Sequence, residues 1–265
     1  MNKIEAIFSD LDGTLLNEHH VVSPYNQEVI QAAWDAGIPF HVVTGRSSVS
    51  IRSVEGLKPR NLVCSFNGCK VENFDTGEYL YQIGIDIADN QALIRLAQDH
   101  GFTVIWYCGD TVYTNKDDEL SQSYFGIGGL NHEVSNLEDF AQKQLTKIVF
   151  RWHNEEELNK AYAQIENDTS LNLWGTYALD NSLEILSKDA NKGVAVRFIA
   201  QKNGYNLKNC MAFGDNANDV PMLKAVGHPV VMENGRKSAI KQFANMARPN
   251  SEDGVGKYIK SFLNI

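Results

Sequence analysis

Asp10 and Asp12 stand two apart in the segment IEAIFSDLDGTLLN, Ile4 to Asn17. In an extended segment that spacing puts both carboxylates on the same side of the chain. Two such groups at the mouth of an apolar strand repel one another and lose hydration. A bound cation, a shared proton or a reacting group would offset that cost. The residue types suit a carboxylate nucleophile at Asp10 with an acid/base partner at Asp12. Gly13 would let the backbone turn sharply, and Thr14 adds a hydroxyl. The plainer alternative is a solvated aspartate-rich turn; placement directly behind an apolar run favours chemistry.

GDNAND, Gly214 to Asp219, supplies more carboxylate behind another apolar run. Asp215 and Asp219 are four apart, so a helix starting here would carry them on one face. Oxygen ligands of this kind suit Mg²⁺, which uses few carboxylates and keeps several waters. The alternative is helix capping by Asn216 or Asn218, with Asp219 in the first turn. Thr44 follows Val42-Val43 and precedes Gly45, where a hydroxyl and backbone N–H groups would hold a phosphate oxygen. Arg46 reads equally as a phosphate ligand or a surface charge. Lys192, in DANKGVAV, sits at a helix start, where the helix dipole disfavours a cation. Neutralising a carboxylate cluster and a transferring phosphoryl group would explain it. His19 and His20 lie in a polar loop without ligand spacing and read as solvated.

These loops need a scaffold that brings them together. Ile4 to Phe8 reads as a buried strand. A helix begins at Ser23-Pro24, serine as N-cap and proline at the first helical position, and stops at Gly37. Ile38 to Val43 and Asn61 to Ser65 read as further strands, with a helix capped near Ser47 between them. Asn67-Gly68 is a hairpin signal. The same rhythm returns with a helix over Gly193 to Asn203 and strands at Asn209 to Phe213 and His228 to Met232. Alternating strands and helices imply a parallel sheet with right-handed crossovers. In such sheets the loops beyond the carboxyl ends converge, making neighbours of Asp10, Asp12, Thr44 and Asp215.

The middle of the chain breaks that rhythm. Helix-like segments at Ile87 to His100 and Glu155 to Asn167 mix with hairpin-like strands, which predicts an α+β module inserted into an α/β domain. The expected division is a Rossmann-like parallel-sheet core over residues 1–82 and 188–265, with the insertion over 83–187. Trp106, Trp152 and Trp174 are expected to pack that module. In its TYALDN loop, Thr176 to Asn181, Tyr177 and Asp180 are candidate substrate contacts, against the plainer reading of a polar hairpin.

The 265 residues suffice for a large core, and hydrophobic content of 43% with charged content of 22% is ordinary for a globular protein. No apolar run approaches a membrane span and the N-terminus lacks a signal-peptide core, so a cytoplasmic protein is expected. The four cysteines show no metal-type spacing and read as free thiols. A net charge of −9 argues against nucleic acid as the main partner. An acidic chain binds a small phosphorylated molecule only with a local cation or a few focused basic groups. For the oligomeric state a monomer is the default and a homodimer the alternative.

Taken in order, DLDGT, a strand followed by Thr44-Gly45-Arg46, then Lys192, then GDNAND resemble the motif series of the haloacid dehalogenase superfamily. The layout is similar to its Cof-type subfamily, whose type IIB α/β cap is inserted between the second and third motifs, and the likeness covers essentially the whole chain. The resemblance implies that Asp10 takes the phosphoryl group as an aspartyl-phosphate. Asp12 would protonate the leaving oxygen and then activate water. Thr44 would hold phosphoryl oxygens, and Lys192 would balance charge. Mg²⁺ would be held by Asp10, the backbone carbonyl of Asp12, and Asp215, with Asp219 completing the metal set. Leu11, Gly45, Arg46, Asn67 and Asn218 would line the phosphate and substrate. LSKDAN, before Lys192, lacks the proline and glycine frequent there, which leaves the path of that loop open. The implied activity is a Mg²⁺-dependent phosphatase of small metabolites, sugar phosphates foremost. A phosphomutase using the same aspartates, or a non-enzymatic phospho-receiver, are the alternatives; the receiver has no need of Asp12.

Overall fold

The computed structural model describes residues 4–128, 131–179 and 181–265. In chain order the elements are β1 (Ala6–Ser9), α1 (Pro24–Asp35), β2 (Phe40–Val42), α2 (Ser48–Arg52), β3 (Leu62–Ser65), β4 (Lys70–Asn73) and β5 (Glu78–Gln82). There follow α3 (Ile87–His100), β6 (Thr103–Cys108), β7 (Thr111–Thr114), α4 (Glu119–Gly128), β8 (His132–Val134), β9 (Lys147–Arg151), α5 (Glu155–Asn167), β10 (Leu173–Leu179) and β11 (Ser182–Ser187). The chain ends with α6 (Lys192–Asn203), β12 (Cys210–Gly214), α7 (Val220–Ala225), β13 (His228–Met232), α8 (Lys237–Ile240), β14 (Asn245–Ala247) and α9 (Gly254–Leu263). They form two compact units: one holds the chain up to Gln82 and from Asn191 to Ile265, the other runs Ile83–Ala190.

The first unit is built on a parallel sheet in the order β14-β13-β12-β1-β2. Alternation sorts its strands between two cores, since successive side chains point to opposite faces. Ile7, Met211 and Phe213 join Val29, Ala33, Val255 and Ile259 from α1 and α9 on one face. Ala6, Phe8 and Ala212 join Ala195, Val196, Ile199, Met222 and Leu223 from α6 and α7 on the other. Capping follows the sequence: the Ser23 hydroxyl accepts from Asn26 N–H at 3.1 Å with Pro24 next in line, and Gly37 beyond α1 takes φ +77°.

Two features differ from the sequence reading. β3 forms no ladder with the parallel sheet, which it meets through the parallel Val43–Cys64 bridge and the His41–Leu62 hydrogen bond; it pairs antiparallel with β4, as the Asn67-Gly68 hairpin signal implies, and β4 pairs with β5. Phe66 and Asn67 take φ of +51° and +55°, and this left-handed turn sends the chain straight back on itself. The edge strand β14 is the second difference: three residues are too short to show a period.

The second unit has a six-stranded sheet, β10-β11-β9-β6-β7-β8, antiparallel except for β7 beside β8. Its core is made by α3 and α5 packing Leu93, Ile94, Leu158 and Ile165 on Val104, Trp106, Ile148 and Phe150. Trp106 is fully buried there, while Trp152 packs at its edge. The unit extends to Ala190 because Trp174 Nε1–H donates to the Ala190 carbonyl at 2.9 Å and Lys188 N–H to Asn172. Tyr177 donates through its hydroxyl to Asn159 Oδ1 at 2.6 Å; Asp180 lies outside the described residues. Among the described residues no helix is long and apolar enough to cross a membrane. The cysteines are free thiols.

Candidate active site

Register places the site. β1 pairs with β12 through Ser9–Phe213 and with β2 through Ser9–Val42. The residues just beyond these pairs are Asp10, Gly214-Asp215 and Val43-Thr44, so three loops leave adjacent strands at one level. Asp10 N–H donates to Phe213 O at 3.1 Å, and Val43 N–H to Ser9 O at 2.9 Å. The strand order reverses around β1, which is where ligands bind in open α/β sheets.

Asp10, Asp215 and Asp219 each present a carboxylate oxygen within 4.8 Å of the others. Lys192, the first residue of α6, is fully buried; its Nζ lies 2.8 Å from Asp10 Oδ1 and 2.5 Å from Asp219 Oδ1. These two carboxylates outweigh the helix dipole that disfavours a lysine there. Burial would pull the Lys192 ammonium down, but the charges of Asp10 and Asp219 prevail and hold it protonated. Burial, then the charge of Asp219, pushes the Asp10 carboxyl well above its usual range, with Lys192 opposing. Burial and Asp219 likewise raise Asp215 to about 6.

The two GDNAND carboxylates differ in how they are used. Asp219 Oδ2 accepts from the backbone N–H groups of Asp215 and Asn216, both at 2.9 Å, and Oδ1 takes Lys192, so both of its oxygens are committed to protein donors. It caps the loop and fixes the lysine. Asp215 accepts from the Thr14 hydroxyl at 2.8 Å through Oδ1. Among the described residues, Oδ2 of Asp10 and Oδ2 of Asp215 accept no hydrogen bond.

Three carboxylates face one ammonium, the donors are all oxygen, and two of those oxygens are open. Asn218 Oδ1 is buried and unpartnered, an acceptor for a hydrogen-bond donor such as water. Hard divalent cations that keep waters, Mg²⁺ above all, fit this donor set.

Asp12 points elsewhere. Its side chain keeps 46% of its surface exposed and is gripped by the Arg46 fork, Nε to Oδ2 at 2.7 Å and Nη2 to Oδ1 at 2.6 Å. Burial acts to raise the Asp12 carboxyl, but the Arg46 hydrogen bonds and charge outweigh it and hold it below the usual range. The wide turn between Asp10 and Asp12's neighbours is closed by Leu16 N–H on Leu11 O at 2.9 Å, with the Leu11 and Leu15 side chains sunk in the core. Gly13 takes φ +76°, and a Cβ on it would come within 2.6 Å of Asp215 Oδ2.

Thr44 is buried and its hydroxyl accepts from Arg46 N–H at 3.2 Å. Its carbonyl accepts from Asn67 N–H at 2.9 Å, and a Cβ on Gly45 would lie 3.0 Å from Asn67 Oδ1. That same oxygen accepts from Asn218 Nδ2 at 2.9 Å, tying the Thr44, Asn67 and Asn218 loops into one network.

Several contributors carry no signal in the sequence. His20, exposed in its loop, brings Nδ1 to 3.5 Å from Asp12 Oδ1. Asn234 Nδ2 donates to Gly13 O at 2.8 Å, and Arg236 N–H to Asp215 O at 2.8 Å, bracing both acidic loops. The Asn234-Gly235 pair is a turn signal, but nothing in the sequence says which loop it supports.

Comparison with known proteins follows this geometry. Residues 7–259 match the family model of haloacid dehalogenase-like hydrolases. A curated Haemophilus influenzae protein named "Putative phosphatase" is 30% identical over 253 residues, 95% of each chain. The fold is shared with a Thermotoga maritima crystal structure at TM-score 0.86 and 23% identity, covering 97% of both chains. It is shared too with a protein described as a subclass IIB sugar phosphatase, TM-score 0.84 and 21% identity, over 98% of this chain and all of that one. With its parallel-sheet core, its additional antiparallel sheets and a family match across nearly its whole length, the chain is an enzyme belonging to the haloacid dehalogenase-like hydrolases.

Proposed function

We propose that the chain is a cytoplasmic, Mg²⁺-dependent phosphatase of small phosphorylated metabolites, sugar phosphates foremost, working through an aspartyl-phosphate on Asp10. The observation that carries this reading is the buried Asp10–Lys192–Asp219 chain beside Asp215, with Asp12 two residues along and accessible. The name of the curated relative supports phosphatase activity, and that of the sugar phosphatase with the same fold supports the substrate class.

Asp10 Oδ2 is the attacking atom, since Oδ1 is held by Lys192. It forms a bond to phosphorus while the bond from phosphorus to the leaving oxygen breaks. Asp12, protonated from solvent once Arg46 has released it, gives that proton to the leaving oxygen. Asp12 then takes a proton from water as the water oxygen attacks phosphorus, and the bond to Asp10 breaks. Lys192 stabilises the charge that builds on the phosphoryl oxygens, while Thr44, Asn67 and Asn218 orient them. Mg²⁺ held by Asp10, Asp215 and the Asp12 carbonyl supplies Lewis-acid charge neutralisation when bound. The Arg46 fork keeps Asp12 ionised at rest, so Arg46 must release it as substrate arrives and turn to the substrate's own oxygens.

The test is phosphate release from an aryl phosphate and a sugar phosphate panel, with Mg²⁺ and with chelator. Mg²⁺-dependent release supports the proposal. No release, with isomer exchange dependent on a bisphosphate activator, would replace it with a phosphomutase.

A further inference from the structure

At the amino ends of the strands, away from the carboxylates, the first unit has a groove of about 620 Å³. β12 separates the two ends of the sheet by about 13 Å, four steps of about 3.3 Å each. Arg197 from α6, Lys208 from the turn before β12 and Lys224 from the end of α7 line the groove, over a floor that includes Ala200, Leu207 and Val226. No acidic side chain lines it. Among the described residues none of the three cations forms an ion pair, in a chain of net charge −9. The helix dipole accounts for Lys224 alone, because Arg197 is mid-helix and Lys208 lies in a three-residue turn. Glu5, outside the groove lining, accepts from Asn206 N–H and Asn209 Nδ2.

The floor is rigid. Gly227 N–H donates to Leu207 O at 2.8 Å, and a Cβ on Gly227 would overlap the Lys208 carbonyl. Tyr205 N–H closes on Ala200 O at 2.9 Å, and its hydroxyl faces His41. The three cations line one concavity, where a multivalent anion would neutralise them, and a volume of this size admits a small organic molecule.

We propose that this groove binds the diphosphate group of a small metabolite, whether free pyrophosphate or the tail of a nucleotide. The site is distinct from the carboxylate cluster, and it stands or falls independently of the phosphatase reading.

Calorimetric titration of the full chain with sodium pyrophosphate, at low ionic strength and with chelator present, tests it. Lys208→Gln/Lys224→Gln should weaken binding about tenfold, because both exposed cations contact the anion. The same charge change on α9, Lys257→Gln/Lys260→Gln, should leave it unaltered. A parallel titration with ADP separates the sources: tighter binding than pyrophosphate marks a nucleotide, equal binding a free diphosphate, and both support the site. Absence of binding, or equal affinity in wild type and Lys208→Gln/Lys224→Gln, overturns the proposal. So does an equal loss in both double variants, which would mark a general charge effect. Among the described residues the Lys208, Lys224 and Lys257 side chains make no hydrogen bond or ion pair and Lys260 faces the Tyr25 ring, so folding is not at stake.

Discussion

Lys192 and Asp219 form an ion pair from which solvent is wholly excluded: Nζ lies 2.5 Å from Oδ1, and neither side chain has exposed surface. Asp10 shares the same ammonium. Removing one partner of such a cluster leaves an uncompensated buried charge. Lys192→Met should therefore destabilise the protein by about 3–5 kcal/mol, and adding Asp219→Asn should recover part of that loss. Urea unfolding of the wild type, single and double variants checks it; an unchanged midpoint in Lys192→Met would contradict the charge assignment.

The Arg46–Asp12 fork sets the protonation of the acid/base group. Arg46→Gln removes the hydrogen bonds and charge that lower the Asp12 carboxyl, while the burial that raises it remains. The Asp12 limb of the pH–kcat/KM profile should move to higher pH in Arg46→Gln. A limb that stays in place would mean that Arg46 does not govern Asp12 in the free enzyme.

Gly13→Ala places a methyl group 2.6 Å from Asp215 Oδ2, at a φ of +76° that disfavours any side chain. The backbone conformation alone should cost about 1–2 kcal/mol. Displacement of Asp215 should further raise the Mg²⁺ concentration needed for half-maximal activity. Melting temperature and a Mg²⁺ titration separate the two effects.

His41 gives the core a pH dependence away from the site. It is buried between Phe8 and Tyr205, and its Nδ1–H donates to Leu62 O at 2.9 Å. Burial lowers it from 6.5 to about 4, against the pull of the Leu62 carbonyl. The folded state thus favours the neutral ring, and the stabilisation is complete above about pH 6.5 and lost as pH falls towards 4. The loss attributable to His41 is roughly 3 kcal/mol, at 1.36 kcal/mol per pH unit. Urea unfolding at pH 7 and pH 4.5 should show a smaller difference in His41→Gln than in the wild type.

Much of this arrangement is legible in the chain because the chemistry follows the strands. Asp10, Thr44 and Asp215 each stand just past a short apolar run, and a parallel sheet leaves such positions one place to go. Lys192 is legible for a different reason: a lysine at a helix start asks for partners. What stays hidden depends on side-chain direction or on long-range pairing. Arg46 turns to Asp12 instead of solvent, His20 reaches the same carboxylate, and Asn234 braces Gly13 from 221 residues away. β3 turns back onto β4 at Phe66-Asn67, as the Asn67-Gly68 signal implies, but that its tie to β2 is confined to one bridge and the His41–Leu62 hydrogen bond is a long-range pairing that local propensity does not settle.

Phosphate release by wild type and Asp10→Asn, run side by side with Mg²⁺, bears most directly on the central claim. The account predicts release by the wild type and none above background from Asp10→Asn, with both proteins shown to be folded by a cooperative melt. Release that survives Asp10→Asn would contradict the assignment of Asp10 as the nucleophile.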